Sequence, residues 1–366
     1  MLMSDRQNLV DRIVNFVKDP SISVSDLEGI LILLNRPILE KNIKNWLTNS
    51  GLPAKMGNVL LAKLTSTREL SLGERMRLVE ILGSGGKLMD FDKMLNASRG
   101  RKVKVSNYFL EPKLASWVMK NFRNENDKAL LGAPTNIGKG EVAFVILGGL
   151  SKPAKGDLST STETIEVKEG KYANMTPKNT IHPNSFLKDM RKHLEKYPGV
   201  KEKLPVRDTT AAKGDTKNLA YLLSIRKLPN KTGSFPLAEF SKAEGVMTAS
   251  QVTETMQKYH DLVYNKTKIN MSKYIKSNMS FDFDSYGEDT FTQLLKKYQQ
   301  EDGFSNLMYF NGPKNFGDET VFCMKNTDDA KKFYKSFGEV RFSGNDRYKL
   351  EYGYGGTYNE SRFRSS

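Results

Sequence analysis

Four residues in the stretch 140–171 carry side chains suited to metal-assisted hydrolysis: Glu141, Asp157, Glu166 and Lys168. Three are carboxylates and one is a primary amine. Mg²⁺ takes hard oxygen ligands and keeps several of its waters, so two or three carboxylates arriving from different elements suffice to hold it. Mn²⁺ accepts the same donors and is the expected substitute. Cutting a phosphodiester needs an activated water, neutralisation of charge in the transition state and a stabilised leaving oxygen, and a bound metal supplies most of this. A lysine beside it orients the water or balances charge on the phosphate.

The local pattern says which elements must present these groups. Along a strand, side chains alternate between faces, so Thr164, Glu166 and Lys168 share one face while Ile165 and Val167 share the other. Glu166 and Lys168 then stand about 6.6–6.8 Å apart along the strand. Asp157 is expected at the end of a short strand, Lys155 to Ser159, and a reversal at Ser159 to Thr162 would bring it near Glu166. Glu141 opens an apolar run, Val142 to Leu147, which reads as a buried helix. Each feature has an ordinary explanation. Glu-x-Lys usually marks a solvated strand face, Gly-Asp is usually a turn, and a glutamate at a helix start is favoured by the macrodipole. The order of the three elements is what distinguishes them.

That order is carried by Gly138-Lys139-Gly140-Glu141, Gly156-Asp157-Leu158 and Ile165-Glu166-Val167-Lys168. It resembles the PD-(D/E)xK nuclease superfamily, and it is similar to restriction-endonuclease-like proteins of phage genomes. The resemblance covers about 140–171, with Gly156 where the family has proline. It implies an α+β fold with a central mixed sheet flanked by helices, and a Mg²⁺-dependent DNA endonuclease. It also implies that Asp157 and Glu166 ligate the metal, Glu141 adds a ligand and Lys168 assists the water. A cutter of duplex DNA usually needs two active sites, so a homodimer is an expectation. The alternative is a non-catalytic nucleic-acid-binding or virion-associated structural protein that keeps this fold.

Composition agrees with a polyanionic partner. Lysine and arginine number 57 against 42 acidic residues, a formal charge of +15. An excess of that size favours DNA as a partner. Arg99, Arg101, Lys102 and Lys104 cluster in a Gly-rich link over 84–105, and Lys139 precedes the Glu141 helix. Arg191 and Lys192 lie in a basic segment over 188–207. All are candidate backbone contacts, with solvated loops as the ordinary explanation. The single cysteine, Cys323, sits among apolar neighbours and reads as a buried, inert thiol. His182, His193 and His260 lack metal-ligand spacing. No apolar run reaches the ~20 residues of a membrane span, and no signal-peptide pattern opens the chain. A soluble protein of the cytoplasm, or of a virion, is expected.

The remaining elements follow from periodicity. Residues 1–83 read as an N-terminal subdomain of four or five short helices, with capping-box spacing at Ser25–Glu28 and Ser71–Glu74. Helices are expected near 110–123, 184–197, 249–265, 289–300 and 328–336, and strands at 306–310, 319–324, 339–342 and 348–352. Residues 84–130 would form a basic linker and helix, and 131–352 a nuclease-like core with a helical insertion at about 208–300. Residues 353–366 read as a flexible tail. The loop Gly132 to Gly140 imitates a phosphate-binding P-loop. Its glycine spacing is wrong, and Gly140 replaces the Ser/Thr that would hold magnesium, so it is set aside.

Overall fold

The computed structural model describes residues 3–123, 138, 140–153, 156–169, 173–174, 183–208, 217–225, 227–263, 267–311, 317–337, 340–344 and 350–354. The class is α+β, with a mixed sheet. The chain divides into two compact units: Met1–Met94, Lys104–Thr162 and Gly312–Glu319 form the first, and Leu95–Val103, Glu163–Asn311 and Thr320–Ser366 the second. It passes from one to the other between Thr162 and Glu163, inside the stretch that the sequence assigns to a single core. Among the described residues no helix is long and apolar enough to cross a membrane.

The first unit opens with four helices: α1 (Met3–Lys18), α2 (Val24–Ser50), α3 (Lys55–Ser66) and α4 (Leu72–Gly83). The expectation of short helices fails at α2, which runs 27 residues with Pro37 inside it. Its second half buries Leu39, Ile43 and Trp46, a spacing of four and three residues that marks one helical face. That packing carries the helix past a residue that removes one backbone donor. Ser25 therefore lies within the first turn of α2 and is not its N-cap. The second capping box is real: Ser71 Oγ accepts from the Glu74 N–H, and Glu74 Oε2 accepts from the Ser71 N–H at 2.8 Å. Within the expected link lies a helix, α5 (Phe91–Ala97), followed by the short β1 (Lys102–Lys104).

Two helices complete the first unit's core. In α6 (Pro112–Phe122), proline occupies the first turn, where no intrahelical donor is needed, and Leu114, Trp117 and Val118 point inward as expected. In α7 (Glu141–Gly148) all eight residues are buried. It starts after Gly140 (φ 82°) and stops at Gly149 (φ 60°), and both conformations are costly for residues with a Cβ. β2 (Leu158–Ser159) is shorter than expected.

The second unit is built on β3 (Thr164–Glu169), β5 (Asn306–Asn311) and β6 (Thr320–Met324), with β4 (Ala173–Asn174) between the first two in sequence. β3 runs parallel to β5, pairing Glu166 with Leu307 and Lys168 with Tyr309, and β5 runs antiparallel to β6. Helices α8 (Pro183–Leu194), α9 (Val200–Lys203), α10 (Leu219–Leu222), α11 (Pro236–Glu244), α12 (Ala249–Val263) and α13 (Phe283–Asp302) intervene. α14 (Thr327–Phe337) follows β6, and the antiparallel pair β7 (Val340–Gly344) and β8 (Leu350–Tyr354) ends the described chain. α13 begins six residues before the expected 289, capped by Asp282, whose carboxylate accepts from the Ser285 N–H. β8 extends to Tyr354, into the stretch assigned to the tail. Residues 355–366 fall outside the described set.

The helices between 208 and 300 share one apolar core with β5, β6 and α14. Leu219, Leu237, Met256 and Phe291 belong to the same cluster as Leu307, Phe322 and Phe333. His260 is fully buried in this unit. Its Nδ1 lies 2.9 Å from the Tyr286 hydroxyl and its Nε2 2.7 Å from Thr267 Oγ1. Burial lowers its pKa from 6.5 to about 4. The unfolded chain therefore takes up this proton at higher pH than the folded one. Stability from the neutral imidazole is complete above pH 6.5 and is lost as pH falls toward 4, on the order of 3 kcal/mol in all. Urea unfolding is expected to show a lower midpoint at pH 4.5 than at pH 7, with a smaller drop in His260→Gln. An equal drop in both proteins would remove His260 as the cause.

Candidate functional site

β3 presents its side chains as the alternation requires. Ile165 and Val167 are buried on one face, and Glu166 and Lys168 are part-buried on the other. The second face is not the solvated surface that Glu-x-Lys usually marks. Lys168 Nζ reaches Glu166 Oε1 at 2.5 Å, and the Tyr298 hydroxyl donates to the same oxygen at 2.6 Å. The ammonium also lies 5.6 Å from the centre of the Tyr298 ring, a cation–π distance. The side chains of Glu166 and Lys168 keep 12% and 22% of their exposure, so the pair is sheltered without being sealed.

Tyr298 reaches this place because of how α13 ends. Gly303 adopts a left-handed conformation (φ 72°) that stops the helix. The chain turns there and enters β5 beside β3. Ser305 fastens the turn: its N–H donates to the Thr164 carbonyl at 3.0 Å, and its Oγ accepts from the Thr164 N–H at 3.1 Å. The last turns of α13 are thereby held over the start of β3. Leu294 and Leu295 are buried in the core, and Tyr298, a turn later, meets the Glu166 carboxylate. Nothing in the sequence pattern marks Tyr298, which lies 132 positions from its partner.

The other two candidate ligands belong to the first unit. Asp157 follows Gly156 (φ 76°) at a bend and precedes β2, so it is not on the expected strand; Lys155 lies outside the described residues. Its side chain is part-buried and has interactions of its own. Glu141 is buried at the head of α7, where its Oε1 accepts from the Gly138 N–H at 2.6 Å. This is the role that a carboxylate takes at a helix start, satisfying an amide with the favourable end of the dipole. Among the described residues, no group of three or more His, Cys, Asp or Glu is arranged to hold a metal ion. The donors themselves suit a hard cation, since Mg²⁺ needs only one or two carboxylates. Glu166 Oε2 takes no part in the bonds to Lys168 and Tyr298, both of which use Oε1.

Several of the candidate basic residues are engaged within the protein. Arg99 donates to both oxygens of Glu163 at 2.8 Å, and Lys325 reaches the same carboxylate at 2.5 Å. Burial alone would raise Glu163, but the Lys325 bond and the Arg99 charge outweigh it and hold the carboxyl below its usual range. Arg99 thus joins the segment before β1 to the start of β3. Arg101 Nε donates to the Ala97 carbonyl, and Lys104 pairs with Asp318 at 3.2 Å. Arg191 grips Asp208 through two nitrogens and also donates to the Pro205 carbonyl. The Asp208 bond raises its pKa against the opposing effect of burial. Lys102 and Lys192 are exposed, and Lys139 lies outside the described residues.

The single thiol, Cys323, is buried, and desolvation raises its pKa strongly, as an inert core cysteine requires. His193 and His260 are core residues bonded to hydroxyls, and His182 lies outside the described residues. No protein-family model, curated protein or solved structure matches this chain.

Proposed function

We propose that this protein is a Mg²⁺-dependent DNA endonuclease of the PD-(D/E)xK kind, hydrolysing phosphodiester bonds at Glu166 and Lys168. The observation that carries this reading is the meeting of Glu166, Lys168 and Tyr298 on one sheltered strand face. Isolated Glu-x-Lys pairs on strands do not need such a partner. A bound Mg²⁺ supplies Lewis-acid polarisation and a more acidic water. Glu166 would hold it, with Oε2 outside the bonds to Lys168 and Tyr298. An ammonium has three N–H donors, one of which serves Glu166, so Lys168 can also address a phosphate oxygen or the attacking water. Tyr298 fixes the carboxylate that both functions depend on. The net charge of +15 draws the substrate in.

The test is conversion of supercoiled plasmid to nicked and linear forms with Mg²⁺ or Mn²⁺. Wild type is expected to cut, and Glu166→Ala and Lys168→Ala to cut at least about a hundredfold more slowly. Equal cleavage by all three would reject the assignment. The other reading is a nucleic-acid-binding or virion-associated structural protein that lacks turnover. The ion pair between Glu166 and Lys168 favours it, because the two charges already satisfy one another. Binding that falls steeply with salt, without cutting in either metal, would decide for it.

A further inference from the structure

Glu166 already has a cation on it, and that cation is Lys168. The ammonium lies 2.5 Å from Oε1, and the Tyr298 hydroxyl donates to the same atom at 2.6 Å. A carboxylate oxygen offers about two lone-pair sites, so these two donors fill Oε1. The pair is sheltered from solvent. A carboxylate in such a place is costly without an opposite charge, and the ammonium supplies one. The Tyr298 ring supports the arrangement from its other side, with the ammonium 5.6 Å from the ring centre.

We propose that Lys168 competes with the divalent cation for Glu166: the ammonium satisfies the carboxylate until Mg²⁺ binds, and has to give it up when it does. Mg²⁺ sits about 2.0–2.1 Å from a ligating oxygen. On either oxygen of Glu166 it would stand close to an ammonium that is itself 2.5 Å from Oε1. Like charges so close repel most where water screens least. Two ligands that oppose one another at a shared group weaken each other by the same factor. The exchange leaves Lys168 useful. A lysine has a flexible four-carbon stem and three rotatable donors, so an ammonium released from Glu166 can turn to another anion. Lys168 is thus free for a phosphate oxygen of the substrate once the cation has taken the carboxylate, which ties substrate engagement to metal loading. The inference rests on the nuclease reading for the identity of the cation, and it concerns the regulation of that same site.

Titration calorimetry of the full chain with Mg²⁺ alone, without DNA, reads the competition. Lys168→Met keeps an unbranched stem and removes the charge. It is expected to bind Mg²⁺ at least about fivefold tighter than wild type, the low end of ordinary coupling between two ligands. Lys168→Gln, which keeps a donor without the charge, should gain likewise. Added Mg²⁺ should also raise the melting temperature of both variants more than that of wild type. Lys325→Met controls for the general field, because Lys325 bonds Glu163, three residues before Glu166. Its side chain is 43% exposed, so its affinity should change by less than about twofold. Adding Glu166→Gln to Lys168→Met should abolish the gain. Equal or weaker Mg²⁺ binding by the two Lys168 variants would overturn the inference. So would an equal gain in Lys325→Met, a gain that survives Glu166→Gln, or no Mg²⁺ binding by any of the proteins. Plasmid cleavage keeps the two readings apart. A wild type that cuts while the Lys168 variants gain no affinity would sink the competition alone, and tighter binding without cutting by wild type would sink the nuclease reading alone.

Discussion

Glu166→Gln should lower Mg²⁺-dependent plasmid cleavage by about two to three orders of magnitude, the usual range for losing one charge-stabilising group at a reacting centre. The substitution keeps size and shape. The amide oxygen can still accept from Tyr298 and Lys168, so β3 and α13 should stay in place. What disappears is the formal charge that a divalent cation requires. Tyr298→Phe divides the same question more finely. It removes one hydrogen bond to Oε1 and keeps the ring that the Lys168 ammonium lies over. A bond to a charged group is worth about 1.5–3 kcal/mol, so cleavage should fall by roughly ten- to a hundredfold. As a positioning residue, Tyr298 should also raise the Mg²⁺ concentration needed for half-maximal rate, which a purely structural role would not do. If Glu166→Gln cuts at the wild-type rate, the chemistry is not on β3.

The sequence carried most of the local structure because local rules decide it. The Ser71–Glu74 box, the apolar run after Glu141, the alternation over β3 and the strands at 306–311 and 320–324 depend on neighbours a few residues apart. Errors arose where tertiary packing overrides local preference. The helices over 1–83 are expected to be short, but burial of Leu39, Ile43 and Trp46 carries α2 through Pro37 to 27 residues. The Gly-rich link contains α5, whose Phe91, Met94 and Leu95 are buried. Residues 208–300 lack strong periodicity, yet their helices join the core of β5 and β6, because each contributes only a few buried side chains.

The candidate site was legible only in its local half. Glu166 and Lys168 are two residues apart, and a strand's pleat must place them together. Tyr298 comes from the far end of a helix that no strand pattern points to. The same limit applies to charge. Arg99 and Arg191 look like members of basic clusters, but their partners Glu163 and Asp208 are 64 and 17 positions away. A guanidinium held by two carboxylate oxygens is less open to a phosphate than its place in the sequence implies. Lys102 and Lys192 keep the exposure that a phosphate contact needs.

Glu319→Ala should cost about 3–5 kcal/mol of unfolding free energy in the first unit, read by urea denaturation, because it breaks a buried ion pair from one side. Arg123, at the end of α6, donates to Glu319 Oε1, and the two side chains keep only 9% and 4% of their exposure. Glu319 Oε2 also accepts from the Gly317 N–H at 2.9 Å, so the carboxylate orders the strand entry at 317–319 as well. The Arg123 carbonyl in turn accepts from the Gly140 N–H, ahead of the Glu141 helix. Removing the acid takes away the charge that the buried guanidinium meets at Glu319 Oε1. The double variant Arg123→Met with Glu319→Leu separates that penalty from the worth of the pair. It should be more stable than Glu319→Ala alone, since two apolar side chains of similar bulk leave no buried charge behind. A double variant less stable than the single one would mean that the pair itself, with its bonds to the backbone, contributes more than its desolvation costs.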